Sequence, residues 1–237
     1  MSARIRRVVT TREGGVSTGA YRSFNLGDHV GDEAAAVTAN RGHLAAGIGL
    51  SSDRVVWMEQ VHGRTIEVVD GPHPESVPAT DGLVTDVPGL AVAVLVADCV
   101  PVLLGDPVAG VIAAVHAGRV GARVGVLTAA LAAMRRLGAE PGCVEALLGP
   151  AACGQCYEVP PAMQSEVARH LPGSASRTRR GTPGLDLRAG LWQQLADAGV
   201  GRIGLDPRCT IEDPALFSYR REGTTGRLAA VTWIKPG

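Results

Sequence analysis

Three residues in this 237-residue chain have the types and surroundings for chemistry: His62 in QVHG, Cys99 in ADCVP and His116 in VHAG. Two imidazoles and one thiolate are a ligand set for a catalytic zinc, whose fourth position stays open for water. Zinc lowers the pKa of such a water towards about 7 and makes hydroxide available at neutral pH. The set has two rivals. It is also the trigonal set of blue-copper sites, and a Cys beside a His is a thiol-nucleophile pair. Taken singly, each residue has an inert reading. A Cys ending an apolar strand is usually core, and a His beside a Gly is usually a turn residue. Spacing alone leaves open whether the three meet.

Other side chains stand near them in sequence. Asp98 precedes Cys99 and is a candidate to orient a ligand His or to move protons. On a strand it would point to the opposite face, with backbone capping as its other role. Gln60, two residues before His62, would share its face on an extended segment. Arg12, in TTREGGVS, lies beside Gly-rich backbone and suggests an anion site. Asn25 in SFNLG and Arg220 and Arg221 in SYRREG are further substrate-binding candidates, each with a solvated alternative. Cys153 and Cys156 form a C-x-x-C, a redox or zinc half-site to which Cys143 or Cys209 would add thiols. Buried thiols in a Gly/Pro turn are the competing reading. His73-Pro74-Glu75 and the later cysteines loosely echo the zinc-deaminase signature. Pro72, Pro74 and Pro78 forbid the helix it needs, and Pro150 stands too far from Cys153. There is no G-x-G-x-x-G after a strand, so a dinucleotide site is unsupported.

The elements that must position these residues follow from the apolar pattern. Leu90–Val96, Val100–Leu104 and Val111–Val115 are continuous Val-rich runs, the pattern of strands buried on both faces. Arg4–Thr10, Arg54–Met58, Thr65–Val69, Val144–Leu148 and Leu228–Ile234 read as further strands. Asp32 is expected to cap a helix over Glu33–Ala46. Arg123–Leu137 is expected as one helix with Val124, Leu127, Leu131 and Met134 on its apolar face. Pro161–His170 and Leu187–Ala198 read as helices, and Ser174–Gly184 as an exposed loop. The mixture predicts an α+β or layered fold. No boundary is sharp enough to split it, so one domain over residues 1–237 is expected.

Composition excludes several functions. The chain carries 23 basic and 23 acidic residues, and only Lys235 among the basic ones is not Arg. A neutral balance gives no electrostatic footprint for nucleic acid or an anionic membrane. A Walker A lysine is absent. No apolar stretch reaches the roughly 18 residues a membrane span needs. Met1–Arg12 lacks an apolar core, so no signal peptide is expected. The odd, scattered cysteines suit a reducing, cytoplasmic setting better than a disulfide framework. The sequence is silent on oligomeric state.

Taken in order, TTREGGVS, SFNLG, VVWMEQVHG, DGLVTDVPGLAVAVLVADCVPVLL, VHAG, LLGPAACGQCYEV, DLRAG and FSYRREGTTGR resemble one family over nearly the whole chain. It is the YfiH-like family, also called the laccase-domain, polyphenol-oxidase-like or peptidoglycan-editing-factor family. The resemblance implies a four-layer α/β/β/α fold, similar in architecture to the cysteine hydrolase domain of a bacterial toxin. It implies one metal, usually zinc, on two His and one Cys matching His62, His116 and Cys99. It implies phosphorolysis of adenosine, inosine, guanosine or methylthioadenosine, and deamination of adenosine. Older names imply a copper polyphenol oxidase. Other members imply a hydrolase editing mis-built peptidoglycan precursors. The chain departs from the family at one motif: H-A-G-W-R-G is here His116-Ala117-Gly118-Arg119-Val120-Gly121.

Overall fold

The computed structural model describes residues 2–236. Strand β1 (Ile5–Val9) is followed by helix α1 (Ala34–Gly47) and strands β2 (Val55–Val56), β3 (Ile66–Val68) and β4 (Gly82–Thr85). The central strands are β5 (Ala91–Val96), β6 (Val100–Asp106) and β7 (Val111–Ala117). Helices α2 (Arg119–Arg123) and α3 (Val126–Arg136) lead to β8 (Glu145–Leu148) and α4 (Pro161–His170). A short hairpin, β9 (Ala175–Arg177) and β10 (Pro183–Leu185), precedes α5 (Leu187–Asp197) and β11 (Arg202–Leu205). Helix α6 (Tyr219–Glu222) and strand β12 (Leu228–Ile234) close the chain.

Two sheets stack. One has strand order β1-β12-β5-β2, the other β11-β8-β6-β7-β4-β3. Alternation within each strand shows why the runs carry no polar face. On β5, Val92, Val94 and Val96 face the other sheet, where Leu103, Ile112 and Ala114 meet them. Ala91, Ala93 and Leu95 face outward and pack with Leu44 and Ala45 of α1. On the six-stranded sheet, Val102, Leu104, Ala113 and Val115 face outward onto Leu127 and Met134 of α3 and Leu191 and Leu195 of α5. The layers are therefore helix, sheet, sheet and helices, the α+β arrangement expected.

The chain differs from the sequence pattern in several places. The helix expected over Arg123–Leu137 is shortened to α3, Val126–Arg136, and its expected first residue, Arg123, ends the separate helix α2, because Gly125 sits at φ +85° and breaks the turn between them. Val124 is consequently exposed, off the stripe formed by Leu127, Leu131 and Met134. Asp32 does not cap α1; its carboxylate accepts from Ser17 Oγ and Asn25 Nδ2, and Glu33 holds the cap position. The Ser174–Gly184 segment contains the hairpin β9–β10, whose three-residue strands are too short to show alternation. β4 and β11 were not expected. Pro161–His170 and Leu228–Ile234 form as the pattern placed them.

Candidate metal centre

The site lies at one end of the gap between the sheets. β5 belongs to one sheet and β6 to the other, and only Ala97, Asp98 and Cys99 join them. The crossing forces Asp98 to φ +90°, a strained conformation for a non-glycine residue. Its carboxylate holds the turn: Oδ1 accepts from Thr210 Oγ1 at 2.6 Å and Ser218 Oγ at 2.7 Å, and Oδ2 accepts from the Arg220 amide at 2.7 Å. Cys99 is thereby presented at the mouth of the gap.

His116 lies on β7, two residues along from Ala114 and so on the same inward face. Its backbone N–H donates to the Asp81 carbonyl, which extends the β4–β7 ladder by one residue. Its ring Nδ1 lies 2.8 Å from Asp81 Oδ1. The same carboxylate accepts the backbone N–H groups of His62, at 2.9 Å, and Gly63, at 2.6 Å. These bonds secure His62 at φ +59°. One buried carboxylate thus sets both imidazoles, and it leaves Nε2 of His116 as the nitrogen free to ligate.

The ligand atoms of His62, Cys99 and His116 lie within 4.8 Å of one another. Cys99 Sγ is 3.9 Å from His62 Nε2, and the two rings meet edge to face at 4.7 Å. Burial pushes the Cys99 thiol up, but the two imidazoles outweigh it and bring it down to about 6. Burial likewise pulls His116 down, and Cys99 and Asp81 outweigh it and raise it to about 9. Gly118 keeps the space open: a Cβ there would lie 2.9 Å from His62 Cδ2 and 3.1 Å from Cys99 Sγ. The donors, their mutual distances and the unfilled cradle at Gly118 fit a metal ion with one position free.

A cavity of about 410 Å³ opens over the three ligands, within the usual range of about 300–1,000 Å³ for small-molecule sites. Leu95, Val96, Leu187, Tyr157 and Tyr219 give it apolar and aromatic walls, and Arg119, Arg220 and Arg227 bring cations to it. The Arg220 guanidinium lies over the Tyr157 ring at 4.9 Å.

The sequence candidates separate accordingly. His62, Cys99, His116, Asp98, Gln60 and Arg220 line the cavity. The Gln60 side-chain amide both donates to and accepts from the Leu95 backbone, completing β5 where β2 has turned away. Asp98 does not contact an imidazole; its oxygens are occupied as acceptors, and Asp81 orients His116 instead. Arg12 does not line the cavity: it donates to Glu222 at 2.8 Å and covers the Phe217 ring. Arg221 is spent on the carbonyls of Thr210, Ile211, Asp213 and Leu216. Asn25 is fully buried, and its Oδ1 accepts the Arg227 amide at 2.8 Å, so it touches the site only through Arg227. Met58 is core. His73 and Glu75 belong to no metal-capable group among the described residues. Cys153 and Cys209, which could have completed four-fold coordination at the His₂Cys group, cluster elsewhere. Sequence reasoning missed Asp81, Arg227 and His29, all at or beside the cavity. Arg227 ends the FSYRREGTTGR motif, which was the available signal.

Two stacked sheets between helices, with a His₂Cys group at the crossing between them, define the class. The chain belongs to the family described as multi-copper polyphenol oxidoreductase laccase, whose profile matches residues 6–235. Among curated relatives, a Corynebacterium glutamicum protein named purine nucleoside phosphorylase is 60% identical over 232 residues, covering 97% of this chain and 94% of its own. A Mycobacterium tuberculosis protein of the same name is 58% identical over 235 residues, 99% of this chain and 94% of its own. Among solved structures, YlmD of Geobacillus stearothermophilus is similar with a TM-score of 0.92 and 34% identity, over 98% of this chain and 92% of its own. The hypothetical protein YfiH of Bacillus licheniformis has a TM-score of 0.90 and 31% identity, over 98% and 93%.

Proposed function

We propose that this protein is a zinc-dependent purine nucleoside phosphorylase acting on adenosine, inosine, guanosine or methylthioadenosine. The observation that carries the reading is one cavity that joins an open three-ligand metal group, aromatic walls and three arginines. The names of relatives at 58% and 60% identity support it. Two imidazoles and a thiolate suit zinc.

In phosphorolysis an oxygen of inorganic phosphate attacks C1′ of the ribose. The C1′–N9 bond breaks, its electron pair leaves with the purine, which takes up the proton that phosphate gives up, and the products are the base and the sugar 1-phosphate (ribose 1-phosphate, or 5-methylthioribose 1-phosphate from methylthioadenosine). The protein has to hold an anion and a flat apolar base in line. Arg119, Arg220 and Arg227 are placed to bind the phosphate through charge-assisted hydrogen bonds. Tyr157 and Leu187 offer a face for the base. Asp98 positions the Arg220 backbone, and Asp81 keeps His116 in the ligating orientation. A bound zinc would supply a Lewis acid to polarise a substrate oxygen.

Adenosine deamination fits less well. It needs a carboxyl free to pass a proton, and both nearby carboxylates are committed to hydrogen bonds. Multi-copper oxidation also fits less well, because one group brings together just two of the chain's six histidines among the described residues. The five free thiols accord with a reducing, cytoplasmic setting.

The test is chromatography of each nucleoside incubated with zinc-loaded protein, with and without phosphate, beside Cys99→Ala. Free base formed only with phosphate, and lost in the variant, is the expected result. Inosine from adenosine without phosphate would replace the proposal with a deaminase. No product in either buffer would overturn nucleoside chemistry and favour an amide hydrolase of cell-wall precursors.

A further inference from the structure

Outside the cavity, a second group of ligating side chains converges, and nothing in the reading above uses it. We propose that Cys153, Cys156, Cys209 and Glu212 form a structural zinc site that ties the loop before α4 to the loop after β11. Their ligand atoms all lie within 4.8 Å of one another.

The two halves of the site share one geometry. Cys153-x-x-Cys156 and Cys209-x-x-Glu212 carry ligands at the same spacing. In the first half the amides of Cys156 and Tyr157 donate to the Cys153 carbonyl at 3.0 and 2.9 Å. In the second, the amides of Glu212 and Asp213 donate to the Cys209 carbonyl at 3.1 and 2.8 Å. Each half is therefore a tight turn closed on its first ligand's carbonyl, and it brings positions one and four to the same side. Paired half-sites of two-residue spacing are the ligand pattern of structural zinc.

The two turns are also clasped together. Ala151 pairs with Cys209, and the Thr210 amide donates to the Ala151 carbonyl at 3.2 Å. The Cys153 amide points at Cys209 Sγ at 3.4 Å, a contact that favours thiolate. Arg221 holds the carbonyls of Thr210, Ile211 and Asp213, so the second turn is rigid in advance. Arg179, on the β9–β10 turn, pairs with Glu212 and offsets part of the negative charge of three thiolates and a carboxylate.

Four protein ligands close the site, so its role is structural, unlike the open His₂Cys group. None of the four lines the cavity, yet their neighbours reach it. The Ala152 amide donates to the Asp98 carbonyl at 3.0 Å, and Thr210 Oγ1 donates to the Asp98 carboxylate. The zinc would thus stand one residue behind two groups that fix the turn carrying Cys99.

The test is zinc content by mass spectrometry of protein purified anaerobically and desalted after zinc loading. The His62→Ala/Cys99→Ala double variant, which lacks the first group, should retain one zinc. Adding Cys156→Ser or Cys209→Ser to it should remove that zinc, and Glu212→Gln should lose its zinc to a chelator sooner while remaining folded by circular dichroism. Zinc retention in the double variant reports this site whether or not the His₂Cys group binds metal. No zinc in the double variant would overturn the proposal, as would equal zinc with and without Cys156→Ser. An intact mass two hydrogens short, mapped to a Cys153–Cys156 disulfide in the anaerobic protein, would overturn it in favour of a redox pair.

Discussion

Asp81 is the residue on which both imidazoles depend, since one carboxylate holds the His116 ring and the two amides around His62. Asp81→Asn keeps the size but replaces one acceptor oxygen with a donor, so at least one amide loses its partner. The metal affinity of the His₂Cys group should fall roughly 10–100-fold, read by chelator competition, while circular dichroism stays unchanged. His62→Ala and Cys99→Ala should each lose the metal of this group and the phosphorolytic activity with the fold intact; activity equal to wild type in both would remove the triad from the mechanism. The three ligands were legible because their types are rare in an apolar, Arg-rich chain and each sits at or just beyond the end of a run read as a strand. Asp81 was not, because it meets its partners across 19 and 35 residues, a relation no local spacing encodes. Arg12 and Asn25 misled for the opposite reason. Their Gly-rich surroundings look like an anion cradle, but the loop folds back and uses them on Glu222, Gly27 and Arg227.

Among the elements, the link from β5 to β6 deserves the closest test. Leu90–Val96 and Val100–Leu104 are separated by three residues, and the runs themselves give no sign that they join different sheets. What diverts the chain is Asp98 at φ +90°, held by Thr210, Ser218 and the Arg220 amide. Asp98→Ala removes three hydrogen bonds to a charged acceptor, typically about 1.5–3 kcal/mol each, and leaves the strained φ. The denaturant midpoint should fall by the equivalent of at least ~2 kcal/mol, and bound metal should fall with it. Helix α1 supplies a pH test. Asp28 is brought down to about 2, first by His29 and then by Arg41 of α1, against burial that raises it. A carboxyl whose folded pKa lies below its ordinary value of 3.8 adds stability above that value and loses it as pH falls towards 2. The stability gap between wild type and Asp28→Asn should therefore be full at pH 6 and close between about pH 4 and 2, measured by thermal melts; a gap that widens in that window would contradict the assignment.

At the scale of the whole molecule, continuous apolar runs announced sheets covered on both faces, and the four layers follow from that alone. Which end of the sheet gap would open could not be read from the runs, because it is fixed by where side chains from distant segments close it. The opening is ringed by Arg119, Arg220 and Arg227, and these come from α2, α6 and the turn before β12. HAGRVG differs from the family's HAGWRG at two positions, Arg119 in place of Trp and Val120 in place of Arg, and Arg119 brings a guanidinium to the cavity lining. If that guanidinium holds phosphate, its loss should weaken the anion without disturbing the metal or the base. Arg119→Ala should raise the KM for phosphate about tenfold or more, the value of one charge-assisted hydrogen bond, while the KM for inosine changes little and zinc content stays at the wild-type level. Arg119→Lys should recover part of the phosphate affinity, because it restores the charge but not the planar fork. An unchanged phosphate KM in Arg119→Ala would assign the anion to Arg220 and Arg227 and leave the departure from HAGWRG without a role in binding.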